Sequence, residues 1–322
     1  MQKLDQVSNK IKVLTINNPK KPGDMKWYNI LKPGKKEIDY LKKEFDFEEK
    51  HLEASLSKMS AQRPMIYQGK NYLFIILHFP IQYKGRIIPG EIEFFIGHGF
   101  LATLHDNKNK TLNDFFNYCQ KESVFLESYQ YESSAILLYE ILEKLIQDSY
   151  LLLDENNIKI NEVEKKIFSQ QQKIITSKLL TLKVNIINIR RIVQNHKNIM
   201  KKLTEMKSSL VSQKQITRYY DMLAEHSQRI WEFSEIQKEI IESLHDTSES
   251  VMSYKINNIM KTLTIVSVIL MPLNLVASAL GMNMDPNPLK TQSGITYLTS
   301  VSIVFIILII IMLIFFKRKK WL

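Results

Sequence analysis

TLTIVSVILMPLNLVASALGMNM, residues 262–284, and TQSGITYLTSVSIVFIILIIIMLIFF, residues 291–316, contain no formally charged side chain. Crossing the hydrocarbon core of a bilayer takes roughly 20 helical residues, and both stretches are long enough. Two buried helices of a soluble domain would also be apolar. Ile303 to Phe316, however, is apolar at every position and has no polar face to turn toward water. The pair therefore reads as two membrane spans, and the tripeptide Gly281-Met282-Asn283 between them offers backbone and carboxamide oxygens to a cation.

The flanks orient the pair. Lys317-Arg318-Lys319-Lys320 follow the second span, with Trp321 as an interfacial anchor, and Lys255 and Lys261 precede the first. The positive-inside rule places both flanks, and hence both termini of a multi-pass protein, on the cytoplasmic side of the plasma membrane. Met1 to Leu14 alternates charged or amide residues with single apolar ones and lacks the apolar core of a secretory signal. A single cysteine, Cys119, excludes an intrachain disulfide and an all-cysteine metal site, which fits a reducing cytosol.

Net charge is +11, unevenly placed. Lys165 to Arg218 holds thirteen Lys and Arg against the single acid Glu205, a local balance of +12, so the remainder sums to −1. Such a run suits anionic lipid, nucleic acid or an acidic partner, or is simply the solvated face of helices.

Upstream, residues 11–16, 72–79, 86–88, 92–96 and 100–104 are short β-branched and aromatic runs punctuated by Pro and Gly, with a helix expected over Lys35 to Phe45. Residues 1–110 thus form a mixed α/β domain. From Thr111 onward no Gly precedes Gly281 and no Pro precedes Pro272, so 111–245 reads as a layer of very long helices. Turns are expected at Asp154 to Asn157 and Lys207 to Gln215. The fold class is α+β: a cytoplasmic α/β domain, long helices, then a helix over 246–284 (span about 262–281), a loop over 281–293, a second span over 294–316 and a basic tail over 317–322.

One seam runs along the first span helix. Asp246, Ser250, Ser253, Asn257, Met260, Thr264, Ser267, Met271, Asn274, Ser278 and Gly281 succeed one another at intervals of four and three. A sustained repeat of this kind keeps one face on a common axis. Most of these residues are small or polar, which suits close helix packing or a wet axis. One helix cannot enclose water, so the pore reading requires a homo-oligomer.

These residues carry a resemblance. Met260-Lys261-Thr262-Leu263-Thr264-Ile265, Met271-Pro272-Leu273, Gly281-Met282-Asn283 and the terminal Phe316-Lys317-Arg318-Lys319-Lys320-Trp321-Leu322 closely resemble the CorA family of magnesium transporters. Arg63-Pro64, followed by a Gly and an apolar strand, resembles that family's cytoplasmic domain more weakly. The resemblance implies a homopentamer in membrane lipid, a cytoplasmic funnel of long helices, and a first span lining the pore. It makes Gly281, Met282 and Asn283 the selectivity filter, with Asn283 meeting a hydrated ion. Asn257 and Asn274 become polar pore positions, and Met260, Leu263 and Met271 an apolar constriction; Ser267 and Ser278 are pore-lining by their place on the seam. Leu263 lies one residue off the seam, so it competes with Thr264 for the axis.

Two departures stand out. Where the family loop has an aromatic residue and Met-Pro-Glu-Leu, this chain has Met284-Asp285-Pro286-Asn287-Pro288-Leu289. Family members are also thought to sense internal magnesium through acidic residues. Here the candidates are Glu232, Glu235, Glu239, Glu242 and Asp246, a row that reads equally as a solvated face.

The function expected is potential-driven transport of Mg2+, with Co2+ or Ni2+ as alternatives, and Mg2+ also as the gating ion. No organic cofactor, nucleic-acid partner or enzymatic activity is expected: the chain has no Gly-rich phosphate loop, and His98, His105 and Asp106 form no ligand or triad spacing. A zinc transporter of the same architecture is the nearest alternative, although no histidine lies in either span or the loop. A membrane-anchored nucleic-acid or lipid-binding protein is the alternative from another class.

Overall fold

The structure is a computed structural model that describes residues 4–16, 24–56, 63–121, 133–168, 172–205, 214–281 and 294–319. It divides into two compact units, Met1–His245 and Asp246–Leu322.

The first unit is built on a seven-stranded sheet: β1 (Leu4–Ser8), β2 (Ile11–Ile16), β3 (Met25–Leu31), β4 (Met65–Gln68), β5 (Tyr72–Tyr83), β6 (Arg86–Gly97) and β7 (Phe100–His105). Their spatial order is β1-β2-β3-β7-β6-β5-β4, antiparallel except for the parallel β3–β7 pair. Helices α1 (Lys35–Phe45) and α2 (Glu49–Leu56) connect β3 to β4. After β7 come α3 (Lys110–Lys121), α4 (Ser134–Lys166), α5 (Gln172–Val193), α6 (His196–Glu205) and α7 (Lys214–Gly281), a 68-residue helix.

Both faces of the sheet are covered, which is why YLFIILHF in β5 is apolar almost throughout instead of alternating. Ile11, Val13, Phe74, Ile76 and Phe95 meet Ile38, Leu41, Phe47 and Leu52 of the α1–α2 side. Leu73, Ile75, Leu77, Ile92 and Phe94 point the opposite way, into a larger core with Phe116 of α3 and Leu138, Leu145, Ile186 and Leu223 of the long helices. Helix α1 starts where Glu37 accepts the Gly34 N–H at 2.9 Å. It stops at Asp46, whose positive φ of 52° turns the chain while its N–H closes on Lys42 O.

The long hairpin β5–β6 corrects the sequence reading. Pro89-Gly90 was expected to separate two strands, yet β6 runs unbroken because Pro80 lies directly opposite Pro89. Neither ring has an N–H to donate, so the two residues share a position where no ladder bond is lost. The turn itself is Lys84-Gly85, both at positive φ, as a tight two-residue hairpin requires.

A second correction concerns Asp154 to Asn157, which lie inside α4 instead of in a turn. Asn156 is buried and donates its Nδ2 to Gln237 Oε1 at 3.2 Å, while Gln237 Nε2 donates to Leu153 O at 2.9 Å. The amides satisfy each other across two helices, so the polar interruption breaks nothing. Of the other expected turn, residues 207–213 lie outside the described residues, and Lys214 and Gln215 open α7.

The second unit holds the end of α7 and helix α8 (Gly294–Arg318). Both helices are long and apolar enough to cross a membrane. In a single chain their side chains are largely uncovered: Leu275, Ile303, Ile306, Ile310 and Ile311 are all exposed. Apolar surface of this extent is stable only against lipid or further protein.

Candidate functional site

The sequence placed its site on one helix, and α7 carries every described member of it. Asn257, Met260, Leu263, Ser267, Met271, Asn274 and Ser278 are exposed in the single chain and Thr264 is half-buried. Met271 is 77% exposed, Leu263 58% and Met260 55%, so in one chain these side chains are largely uncovered. The choice between Leu263 and Thr264 is therefore one of helix rotation, about 100° per residue.

Hydroxyls along the helix turn back onto it: Thr264 Oγ1 donates to Met260 O at 2.8 Å, Thr262 Oγ1 to Asn258 O at 3.0 Å and Ser250 Oγ to Asp246 O at 2.9 Å. Pro272 lies within the helix and has no N–H, which leaves the Val268 carbonyl without its usual helical donor. Gly281 is the last residue of α7. Met282 and Asn283, the rest of the filter, lie outside the described residues.

The acidic row also lies on α7, in its first unit apart from Asp246. Glu235 pairs with Arg190 and with Lys238, the latter at 3.3 Å. Glu242 pairs with Lys183 at 3.4 Å and Lys238 at 4.0 Å. Glu232 accepts a hydrogen bond from Gln228 at 2.7 Å. Glu239 and Asp246 are exposed. Among the described residues of one chain, no three His, Cys, Asp or Glu side chains converge as a metal cage.

His105, considered above for chemistry, is committed to the sheet. Its Nε2 meets Asn29 Oδ1 at 2.8 Å, the same oxygen takes the Thr103 hydroxyl at 3.2 Å, and Thr103 in turn accepts the Trp27 indole N–H at 3.1 Å. Burial depresses the imidazole to about 4, so it is neutral near pH 7 and donates to the amide.

A buried acidic pair escaped the sequence reading. Glu91 meets His78 Nε2 at 2.9 Å across β5–β6, and Glu93, fully buried on the same strand face, sits beside Ser55 of α2. Burial pushes the Glu93 carboxyl up to about 8, with Ser55 opposing and Glu91 adding to the rise. The alternation Glu91-Ile92-Glu93-Phe94 was the available signal.

Comparison with known proteins follows the same outline. The family model described as CorA-like Mg2+ transporter protein matches residues 22–318. The cobalt/magnesium transport protein CorA of Thermotoga maritima is 25% identical over 265 residues, 81% of this chain and 73% of that protein. A putative metal ion transporter of Bacillus subtilis is 24% identical over 97% of this chain and 94% of its own length. Among solved structures, the CorA magnesium transporter of Methanocaldococcus jannaschii superposes with a TM-score of 0.81 at 19% identity, covering 92% of each chain. The ZntB cytoplasmic domain of Vibrio parahaemolyticus gives 0.60 at 16% identity, over 71% of this chain and 88% of that one.

Proposed function

The chain belongs to the CorA-like Mg2+ transporter family, and on that premise we propose that it conducts hydrated magnesium across the plasma membrane through a pore of several copies of α7. The observation that carries this reading is the uncovered polar seam on an otherwise apolar helix. Ser267, Asn274 and Ser278 are exposed in one chain within the span, where amides and hydroxyls are stable only against a neighbour or water, and Asn257 continues the seam just before it. Phe233, Ile236 and Ile240, on the cytoplasmic part of the same helix, are exposed as well and offer an apolar stripe to further copies. A homopentamer is the assembly proposed, with both flanking segments in the cytoplasm.

In this pore Gly281, Met282 and Asn283 form the outer filter. Magnesium gives up its inner waters reluctantly, so a neutral ring of Asn283 carboxamides holds the ion through its hydration shell. Carboxylates would hold it too tightly to pass. Met260 and Met271, with Leu263, are the apolar constriction, which shuts by excluding water. A divalent ion gains about 4.6 kcal/mol per 100 mV of inward-negative potential, so no nucleotide hydrolysis is required. Cobalt and nickel share the hydrated, hard-ligand route. Histidine-free spans disfavour an inner-sphere zinc site.

For gating by internal magnesium, Glu239 and Asp246 are the strongest of the five acids. Glu235 and Glu242 already face cations of their own chain, and Glu232 is engaged by Gln228. The test is uptake into proteoliposomes under an imposed potassium diffusion potential, with Mg2+, Co2+, Ni2+ and Zn2+ compared. Potential-dependent Mg2+ entry that disappears in Asn283→Ala supports the reading. Zn2+ entry without Mg2+ entry, or flux indifferent to that substitution, overturns it.

A further inference from the structure

The basic run Lys165 to Arg218 is left unexplained by transport, and the structure shows what part of it surrounds. A cavity of about 560 Å³ opens between the end of α5 (Val193, Gln194), the start of α6 (Asn195, Lys197, Asn198, Lys201) and α7 (Ser227, Gln228, Trp231). All of these residues belong to the first unit. The size lies within the range of small-molecule sites.

Within the run, Lys183 is paired with Glu242 and Arg190 with Glu235. Lys197 and Lys201 line the cavity, and among the described residues no carboxylate pairs with either. None of the lining residues is acidic, and Glu232, next to Trp231 in the chain, accepts the Gln228 amide at 2.7 Å. The two lysines are four positions apart on α6, which puts their Cβ atoms roughly 6 Å from each other on one side of the helix. That spacing suits neighbouring phosphates of one ligand.

The third element is aromatic. Trp231 reaches the cavity with its indole held by the Arg190 guanidinium, 5.2 Å from the ring centroid, and Arg190 is itself fixed by Glu235. A ring immobilised before binding loses little freedom when a planar group stacks on it. Gln194, Asn195 and Asn198 make no side-chain hydrogen bond within the described chain, so their amides remain available to the polar edge of a base.

We propose that this cavity binds a nucleoside diphosphate or triphosphate, with the phosphates on Lys197 and Lys201 and the base against Trp231. The binding claim does not depend on the transport reading, because it concerns only the cytoplasmic unit.

The test is calorimetric titration of the full-length protein in detergent, without divalent metal, using ADP, inorganic phosphate and adenosine as separate probes. ADP should bind more tightly than either fragment. Lys197→Ala with Lys201→Ala should weaken it at least about tenfold, while Lys197→Arg with Lys201→Arg retains most of the affinity. Trp231→Leu should weaken ADP and leave inorganic phosphate unchanged. Unaltered melting temperature and elution volume establish that the variants are folded, and the arginine pair keeps the test decisive if the alanine pair is not. A silent ADP titration, an affinity indifferent to the lysines, or phosphate binding as tight as ADP would overturn the assignment.

Discussion

Helix α7 contains two regions built to opposite rules. Between Lys214 and His245 its core-facing residues, Tyr220, Leu223, Ile230, Ile241 and Leu244, are buried against the chain's own helices, with Tyr220 Oη donating to Ala135 O at 2.8 Å. From Asp246 onward the described side chains are, with few exceptions, exposed or half-buried, although the composition becomes more apolar. The first region has its core within one chain, although Phe233, Ile236 and Ile240 on its other side stay exposed. The second leaves both its seam and the apolar residues around it uncovered in one chain, which fits the proposed assembly in lipid. Exposure of apolar residues marks incompleteness here, not tolerance of water.

The sharpest way to break this contrast is at the filter. Asn283→Ala is expected to lower Mg2+ flux about a hundredfold or more while the detergent-purified oligomer keeps its elution volume. Loss of the oligomer with the flux would make Asn283 a packing residue.

Leu223→Ala tests the completed region. Removing a fully buried leucine should cost about 2–5 kcal/mol, read as a lower thermal midpoint of the first unit. Met271→Ala, equally long-chained and largely exposed in one chain, should leave that midpoint alone and change conductance instead. Equal midpoint losses would erase the distinction between the two regions.

Acidity gives the next effect, on the sheet of the first unit. Glu93 is held near 8, above the ordinary 4.5, so between those values the folded state keeps a proton that the unfolded chain releases. Stability conferred by the protonated carboxyl is therefore present below about pH 4.5 and lost as pH rises toward 8. Glu93→Gln should raise the stability at pH 8 by an amount on the order of 2 kcal/mol and hardly alter it at pH 4.5. His105, depressed from 6.5 to about 4, works in the other direction: the unfolded state takes up the proton first, so stability falls as pH drops through that window. Melting curves from pH 4 to 9 check both limbs, and a flat alkaline limb in the parent would refute the Glu93 contribution.

The smallest effect is expected at Glu239→Gln with Asp246→Asn, a several-fold weakening of inhibition by internal magnesium in patch recordings, of about 1 kcal/mol. Unchanged inhibition would move sensing elsewhere.

Much of this organisation was legible from residue order. The two spans showed by length and lack of charge, Lys35 to Phe45 by its helical spacing, and Ile11 to Ile16 by its β-branched residues. The misses share a cause. Asp154 to Asn157 reads as a turn until Gln237, some eighty positions away, supplies the amide that keeps Asn156 helical. Pro89 reads as a strand end until Pro80 is found across from it. β3 went unread because Lys26 and Asn29 dilute its apolar pattern, whereas Asn29 is buried under His105 and Thr103. The seam was legible as a spacing, but spacing alone does not say what fills the axis. That answer belongs to the assembly.

One detail of the helix has a further outcome for the proposed conduit. The Thr264 hydroxyl has already spent its hydrogen on the Met260 carbonyl, so the side facing away from the helix presents only lone pairs. Repeated around an axis, such oxygens form a wall that repels chloride and welcomes the hydrogens of water around a metal ion. Permselectivity of sign would then arise without a single carboxylate in the bore.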